Sequence, residues 1–123
     1  MSEIANADLT ESDLPSSHAE WHEIGRFALS FNGYERWGSF KKCAEIGYGG
    51  AEAFRAEGVL PSSLTELRTC LFFEQRRWRH YGFDPEEQAM DYIRALVERI
   101  REEVRASESD GASARRDRKD RTQ

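Results

Sequence analysis

Residues 63–82, SLTELRTCLFFEQRRWRHYG, constrain the fold most strongly, because this stretch carries both a start and a stop signal for one long helix. Ser63 and Glu66 have the spacing of a capping box, in which two side chains satisfy backbone N–H groups at a helix start. Gly82 can adopt the left-handed conformation that ends a helix. The residues between them predict a helix of about five turns around which the rest of the chain is organised.

The residues of this predicted helix separate into a broad apolar arc and a mainly polar remainder. The arc consists of Leu64, Leu67, Cys70, Leu71, Phe73, Trp78 and Tyr81. An arc of this width is typical of a helix that packs against more than one neighbour. Two residues depart from the pattern, since Glu74 lies in the middle of the arc and Phe72 lies away from it. Both departures require a structural or a functional explanation.

Apolar spacings of three and four residues predict three further main helices, over residues 17–32, 34–47 and 84–105. The pair Asp84-Pro85 gives the last helix a strong start signal, an N-cap acid followed by proline. The glycines within residues 47–50 predict a hinge and then a short helical turn, because an interior glycine weakens a helix by about 0.5–1 kcal/mol. Without a strand pattern or a repeat, the prediction is an all-α fold, a small irregular four-helix bundle.

The two ends of the chain differ in composition from the middle. Residues 1–15 contain four acidic and no basic residues and show no periodicity, and residues 106–123 contain no large apolar residue. Segments of this kind bury too little apolar surface to offset the conformational entropy that ordering would cost. We therefore predict a helical domain over residues 16–105, between a disordered acidic arm and a disordered charged tail.

Composition narrows the class of protein. The formal charge of −5 on 123 residues argues against a general polyanion binder. No apolar run approaches the roughly 20 residues that span a bilayer, and no signal peptide is recognised, so we expect a cytoplasmic protein. Cys43 and Cys70 lack metal or redox spacing and are expected to be reduced and buried. The excess of arginine over lysine indicates a GC-rich bacterial genome, and we predict no cofactor.

Two histidines suggest a weak metal hypothesis. His18 and His22 are four residues apart in the first predicted helix, which places both on one face and suits a metal site. A third ligand is missing nearby, so His80 or a carboxylate would have to be brought in by the fold. The alternative is that both histidines are solvated. We therefore predict no metal site and keep the pair as weak candidates for a metal-dependent hydrolase.

A basic strip with one aromatic residue in it lies on the polar side of the central helix. It consists of Arg68, Phe72, Arg76, Arg79 and His80. Arginine side chains bind phosphates or carboxylates, and an exposed ring can stack on a base or enter a pocket of a partner. These residues are the predicted binding site for a protein or a nucleic acid. The alternative is that the ring packs against a helix and the arginines are solvated or paired with acidic residues.

The sequence RRWRH, from Arg76 to His80, resembles the arginine–histidine motif of the HEPN ribonucleases, which are also helical. The two residues are separated here by three residues, fewer than in that motif, and the position after the first arginine holds a second arginine. The resemblance covers five residues and implies a ribonuclease that uses Arg76 and His80. The alternative is that the histidine, at a helix end, interacts favourably with the helix dipole.

The position of Glu74 within the apolar arc predicts a structural role. A carboxylate on an apolar arc is costly to bury unless it is paired. We predict an ion pair with Arg26 or with another helix arginine, which would help to fix one arrangement of the helices. The alternative is a catalytic carboxylate, although no second carboxylate or nucleophile lies at a diagnostic spacing.

The last predicted helix carries a narrow apolar seam, formed by Met90, Ile93, Val97, Ile100 and Val104. Such a seam packs against a neighbouring helix or against a second copy of the chain. The seam, the charged ends and the lack of a catalytic constellation predict a small non-catalytic helical protein, an adaptor or regulator that acts through protein–protein interaction. A homodimer through the seam is one form of this hypothesis. Nucleic-acid binding through the basic strip is the alternative, and a HEPN-like or metal-dependent hydrolase is a third hypothesis.

Overall fold

The computed structural model describes residues 4–122, with side chains as far as Glu108. Over these residues the chain forms five α-helices and no strand, so the predicted all-α bundle is confirmed. The elements are 3-10 turns at Asn6–Asp8 and Glu11–Asp13, then α1 (Trp21–Ala28), α2 (Gly33–Trp37), α3 (Phe40–Glu57), α4 (Leu64–Tyr81) and α5 (Glu87–Thr122). None of these helices has the length and apolar character that crossing a membrane requires.

Helix α4 is the centre of the bundle and packs against α1, α2, α3 and α5. It begins as predicted, because the Ser63 hydroxyl accepts a hydrogen bond from the backbone N–H of Glu66 at 3.1 Å. It also ends as predicted, since Gly82 has a φ of 81° in the left-handed region. The apolar arc of α4 packs against the core side chains of α1 and α5, among them Ile24 and Leu96. The central position of this helix follows from its unusually wide apolar arc.

Helix α3 differs from the prediction, because it runs without interruption through the three glycines that suggested a hinge. Two of these glycines face α4. A Cβ atom on Gly47 would overlap the ring of Phe73, and one on Gly50 would lie 2.6 Å from Cys70 Sγ. The glycines therefore allow a close approach of α3 and α4. The true break comes earlier, at Gly38, whose φ of 65° ends α2.

The N-terminal segment, residues 4–14, packs against the helices, whereas its composition predicted a disordered arm. Leu9 is buried in the core. Arg68 Nη1 donates a hydrogen bond to the Ile4 carbonyl at 2.7 Å across 64 positions of sequence. Glu11 Oε1 accepts one from Arg105 Nη2 at 3.0 Å across 94 positions. The composition of a short segment carries no information about partners this distant in sequence, so the predicted arm and the observed packing differ. Residues 1–3 lie outside the described residues.

The apolar seam of α5 is buried within the chain. Ile93, Val97, Ile100 and Val104 are all in the core, and Met90 is half-buried. The pattern allowed the seam to pack against a neighbouring helix or against a second copy of the chain. In the structure it packs against other elements of its own chain. The four buried residues offer almost no surface to a second copy, and the homodimer itself stays a prediction.

The C-terminal end of α5 extends past the predicted domain boundary at residue 105, and the helix continues through Thr122. The side chains of residues 106–108 are exposed. Side chains from residue 109 onward lie outside the described part of the chain, as does Gln123. The prediction of a disordered charged tail over residues 106–123 therefore stays a prediction.

Candidate functional site

The predicted basic strip does not form one surface. Arg76, Arg79 and His80 are exposed, but Arg68 is only 2% exposed and Phe72 is buried as well. The prediction that the aromatic residue of the strip could stack on a base or enter a partner is corrected for this reason. Because α4 has neighbours on several sides, residues away from its main apolar arc are also covered.

Arg68 and Phe72 have structural partners. The Arg68 guanidinium donates to the carbonyl and the hydroxyl of Ser30 at 3.0 and 3.1 Å, and it lies 5.0 Å from the ring centre of Phe31. Phe72 packs in a second small core with Phe31 and Cys43. Of the two exposed arginines of the strip, Arg76 lies with its guanidinium carbon 5.9 Å from the ring centre of Tyr34. The two buried residues therefore tie α4 to α1 and α2.

The two N-terminal histidines do not share a helix face. His18 precedes α1, which begins at Trp21, and both histidines are exposed. His22 Nδ1 lies 3.3 Å from Glu20 Oε2. Within the described residues, no three His, Cys, Asp or Glu side chains are grouped closely enough to hold a metal ion. The spacing argument for the pair therefore loses its geometric basis.

Glu74 is buried at the centre of the candidate site, with 2% of its surface exposed. Its Oε2 accepts a hydrogen bond from Trp78 Nε1 at 3.0 Å, and its Oε1 lies 3.7 Å from Arg77 Nη1. The predicted ion pair with a helix arginine is thus present, with Arg77 rather than the exposed Arg26 as the partner. Burial raises the pKa of Glu74, while the hydrogen bond from Trp78 and the charges of Arg77 and Arg55 act in the opposite direction.

Glu74 lies at a cleft of about 720 Å³ between α3, α4 and the start of α5, which we call the Glu74 cleft. Five aromatic and five charged side chains line it among the described residues: Phe54, Trp78, Tyr81, Phe83 and Tyr92, with Arg55, Glu74, Arg77, Glu86 and Asp91. A cleft in which polar groups converge between aromatic walls is a candidate ligand-binding site.

The rim of the Glu74 cleft is aromatic and exposed. Tyr81 is 49% and Phe83 57% exposed, although both are large apolar side chains. Their rings stack, with centres 5.8 Å apart and an angle of 15° between the planes. Trp78 meets both rings edge-on, with centres 5.5 Å away in each case. Neighbouring exposed aromatic rings of this kind are typical of contact surfaces.

Two buried polar atoms at the cleft have unused hydrogen-bonding capacity. Within the part of the chain that the structure describes, Glu74 Oε1 and Arg77 Nε have no hydrogen-bond partner. Buried polar groups are normally hydrogen-bonded, and each exception requires an explanation such as a ligand. The nearby Cys70 thiol is less informative, because burial raises its pKa to about 11 and keeps it protonated at neutral pH. A protonated thiol is a weak nucleophile.

Comparison with known proteins adds no assignment, because no protein-family model, no curated protein and no solved structure matches the chain. Of the residues at the cleft, Glu74 was identified from the sequence as a departure from the apolar arc. Tyr81 was assigned to the buried arc, and Phe83 was not singled out because it follows the glycine that ends α4. Two large aromatic residues flanking a helix-ending glycine are the signal that could have indicated the rim.

Proposed function

We propose that the protein is a small non-catalytic helical binding protein that acts through contact with another protein at the Glu74 cleft. The observation that carries the proposal is the exposed ring pair Tyr81 and Phe83 at the mouth of a cleft with a buried carboxylate. Tyrosine, tryptophan and arginine dominate the energetics of protein interfaces, and all three residue types line this cleft. An adaptor or regulatory role in the cytoplasm is part of the same proposal, and two free buried cysteines suit a reducing compartment.

A crosslinking experiment tests the proposal. A photoreactive phenylalanine analogue is placed at Phe83, and in a matched protein at the exposed Val59, which does not line the cleft. We expect a crosslinked protein from position 83 and none of the same identity from position 59. The identified partner is then purified and its affinity measured against Tyr81→Ala and Phe83→Ala variants, each of which should weaken binding. A complex that is insensitive to both variants contradicts the proposal.

Nucleic-acid binding is a second candidate, supported by the exposure of Arg76, Arg79 and His80 near the rim residue Tyr81. The buried position of Phe72 removes the base-stacking part of the original hypothesis, and Tyr81 would have to take that role. Binding of this kind would weaken steeply with salt, because neutralised phosphates release counterions. Nucleic-acid binding that disappears in an Arg76→Glu, Arg79→Glu variant and falls steeply with salt would favour this candidate over the first.

A further inference from the structure

The Glu74 cleft already holds one guanidinium group, that of Arg77. Its carbon atom lies 5.7 Å from the ring centre of Trp78 and 5.9 Å from that of Tyr81. The same group lies 3.7 Å from Glu74 Oε1. Aromatic faces attract cations, and guanidinium in particular stacks on them. The walls of the cleft are therefore suited to a cation of this shape.

The match between Arg77 and Glu74 is nevertheless incomplete. A charge-assisted hydrogen bond between nitrogen and a carboxylate oxygen is about 2.7–2.9 Å long, well below the observed 3.7 Å. In the described structure neither Glu74 Oε1 nor Arg77 Nε makes a hydrogen bond. The two residues are three positions apart on one helix. Because both are fixed to the same backbone, the Arg77 guanidinium is limited in how it can approach the Glu74 carboxylate. A guanidinium carried by another chain is free of that restriction.

The charge around the Glu74 cleft favours a cation over an anion. The described lining residues include three acidic side chains, Glu74, Glu86 and Asp91, and two basic ones, Arg55 and Arg77. Glu86 and Asp91 are exposed at the start of α5, where they can attract a positive group as it approaches. The buried carboxylate at the base can then bind it in a partly desolvated site, where charge pairing is stronger than in water.

From these observations we infer that the anchor which the Glu74 cleft takes from its partner protein is an arginine side chain, which displaces Arg77 and binds Glu74 Oε1. This inference rests on the proposed function and specifies the chemistry of the contact. Arg77 moves aside because its side chain is partly exposed, whereas Glu74 stays fixed by its hydrogen bond to Trp78. The guanidinium of the partner's arginine reaches hydrogen-bonding distance of the Glu74 carboxylate, and its plane stacks on the rings of Tyr81 and Phe83.

The test uses Nα-acetyl-arginine methylamide as the probe and nuclear magnetic resonance as the readout. The chain has three tryptophans, so the indole N–H of Trp78, which is bonded to Glu74, gives one of three indole signals. We expect the arginine probe to shift this signal in a saturable manner, and the uncharged norleucine analogue to leave it in place. The Glu74→Gln variant should bind the probe roughly tenfold more weakly or worse, the loss expected when a buried charge-assisted hydrogen bond is removed.

Two further variants sharpen the result. Arg77→Ala removes the internal competitor and should strengthen binding of the probe a few-fold. Glu98→Gln removes an exposed carboxylate that does not line the cleft and should leave binding unchanged. Equal shifts with the arginine and norleucine probes overturn the inference, as does unchanged binding in Glu74→Gln. If Glu74→Gln does not fold, the two probes on the unmodified protein and on Arg77→Ala decide the question.

The inference and the proposed function fail in different ways. A partner complex that is weakened by Phe83→Ala but not by Glu74→Gln, and is not displaced by the arginine probe, overturns the arginine anchor and leaves the contact surface in place. A partner complex that is insensitive to Phe83→Ala overturns the proposed function. If Glu74→Gln and the arginine probe both weaken the identified complex, the inference is supported.

Discussion

Replacement of Arg68 by methionine should destabilise the fold strongly, although the residue lies on the side of α4 that its sequence marks as polar. Arg68 is 2% exposed. Its acceptors include the Ile4 carbonyl at 2.7 Å, Asn6 Oδ1 at 2.8 Å and the Ser30 carbonyl at 3.0 Å. Methionine preserves the length of the apolar stem but removes every donor. The variant therefore isolates the polar contacts of the head group from the packing of the stem.

The loss of stability in Arg68→Met can be estimated from the acceptors that lose a hydrogen-bond donor. The carbonyl and the hydroxyl of Ser30 keep one partner each, the Ile4 N–H and the Phe27 carbonyl, but each loses a hydrogen bond to a charged group, which is worth about 1.5–3 kcal/mol. The acceptors at Ile4 and Asn6 are only partly buried and can bind water. Removal of the buried charge offsets part of the loss, so we expect Arg68→Met to lower the free energy of unfolding by about 3 kcal/mol. Arg68→Lys keeps the positive charge but loses the planar guanidinium with its several donors, and should lower the free energy of unfolding by about 2 kcal/mol.

Urea unfolding followed by tryptophan fluorescence measures these free energies. The matched control is Arg76→Met, an exposed arginine on the same helix, which should change stability by no more than about 0.5 kcal/mol. Limited proteolysis gives a second readout, because the N-terminal segment, residues 4–14, should become susceptible in Arg68→Met before the helices do. If Arg68→Met is as stable as the control, the buried hydrogen bonds do not hold this segment and the reasoning is refuted.

Further outcomes are expected for α3, for Glu74 and for the exposed arginines of α4. Gly47→Ala should destabilise the protein by about 1–3 kcal/mol in thermal unfolding, because its Cβ atom would overlap a ring of α4. Gly49→Ala, with nothing within 4 Å of an added Cβ in the described structure, should be neutral or stabilising by up to about 1 kcal/mol. Because burial raises the pKa of Glu74 above 4.5, its protonated form favours folding, so stability should rise as the pH falls through the raised pKa toward 4.5. Glu74→Gln should lack that component in pH-dependent urea unfolding. An Arg76→Glu, Arg79→Glu variant should leave binding of the arginine probe within about twofold, since neither residue lines the Glu74 cleft.

The helical fold and its central element could be predicted because their signals are local. The cap at Ser63, the stop at Gly82 and the wide apolar arc between them all lie within one stretch of sequence. Burial on the other side of the same helix could not be predicted in this way. Arg68 and Phe72 are covered by α1, α2 and the N-terminal segment, which are distant in sequence.

The candidate site shows the same division between local and distant information. Glu74 was recognisable because a carboxylate in an apolar arc is a local conflict, and an arginine partner was a sound expectation. The identity of that partner depended on which arginine the fold brings close. The cleft itself joins residues of three helices, and Tyr81, the last residue of α4, is 49% exposed at its rim.

The contacts of the N-terminal segment also set an order for folding. The Ile4 carbonyl accepts a hydrogen bond from Arg68 across 64 positions of sequence, and the Pro15 carbonyl accepts one from Arg101 across 86 positions. The first contact requires the start of α4 and the second the first half of α5, and closing loops of this size slows folding. Docking of the N-terminal segment is therefore a late event in folding, and the core beneath Leu9 stays open to solvent until the segment docks.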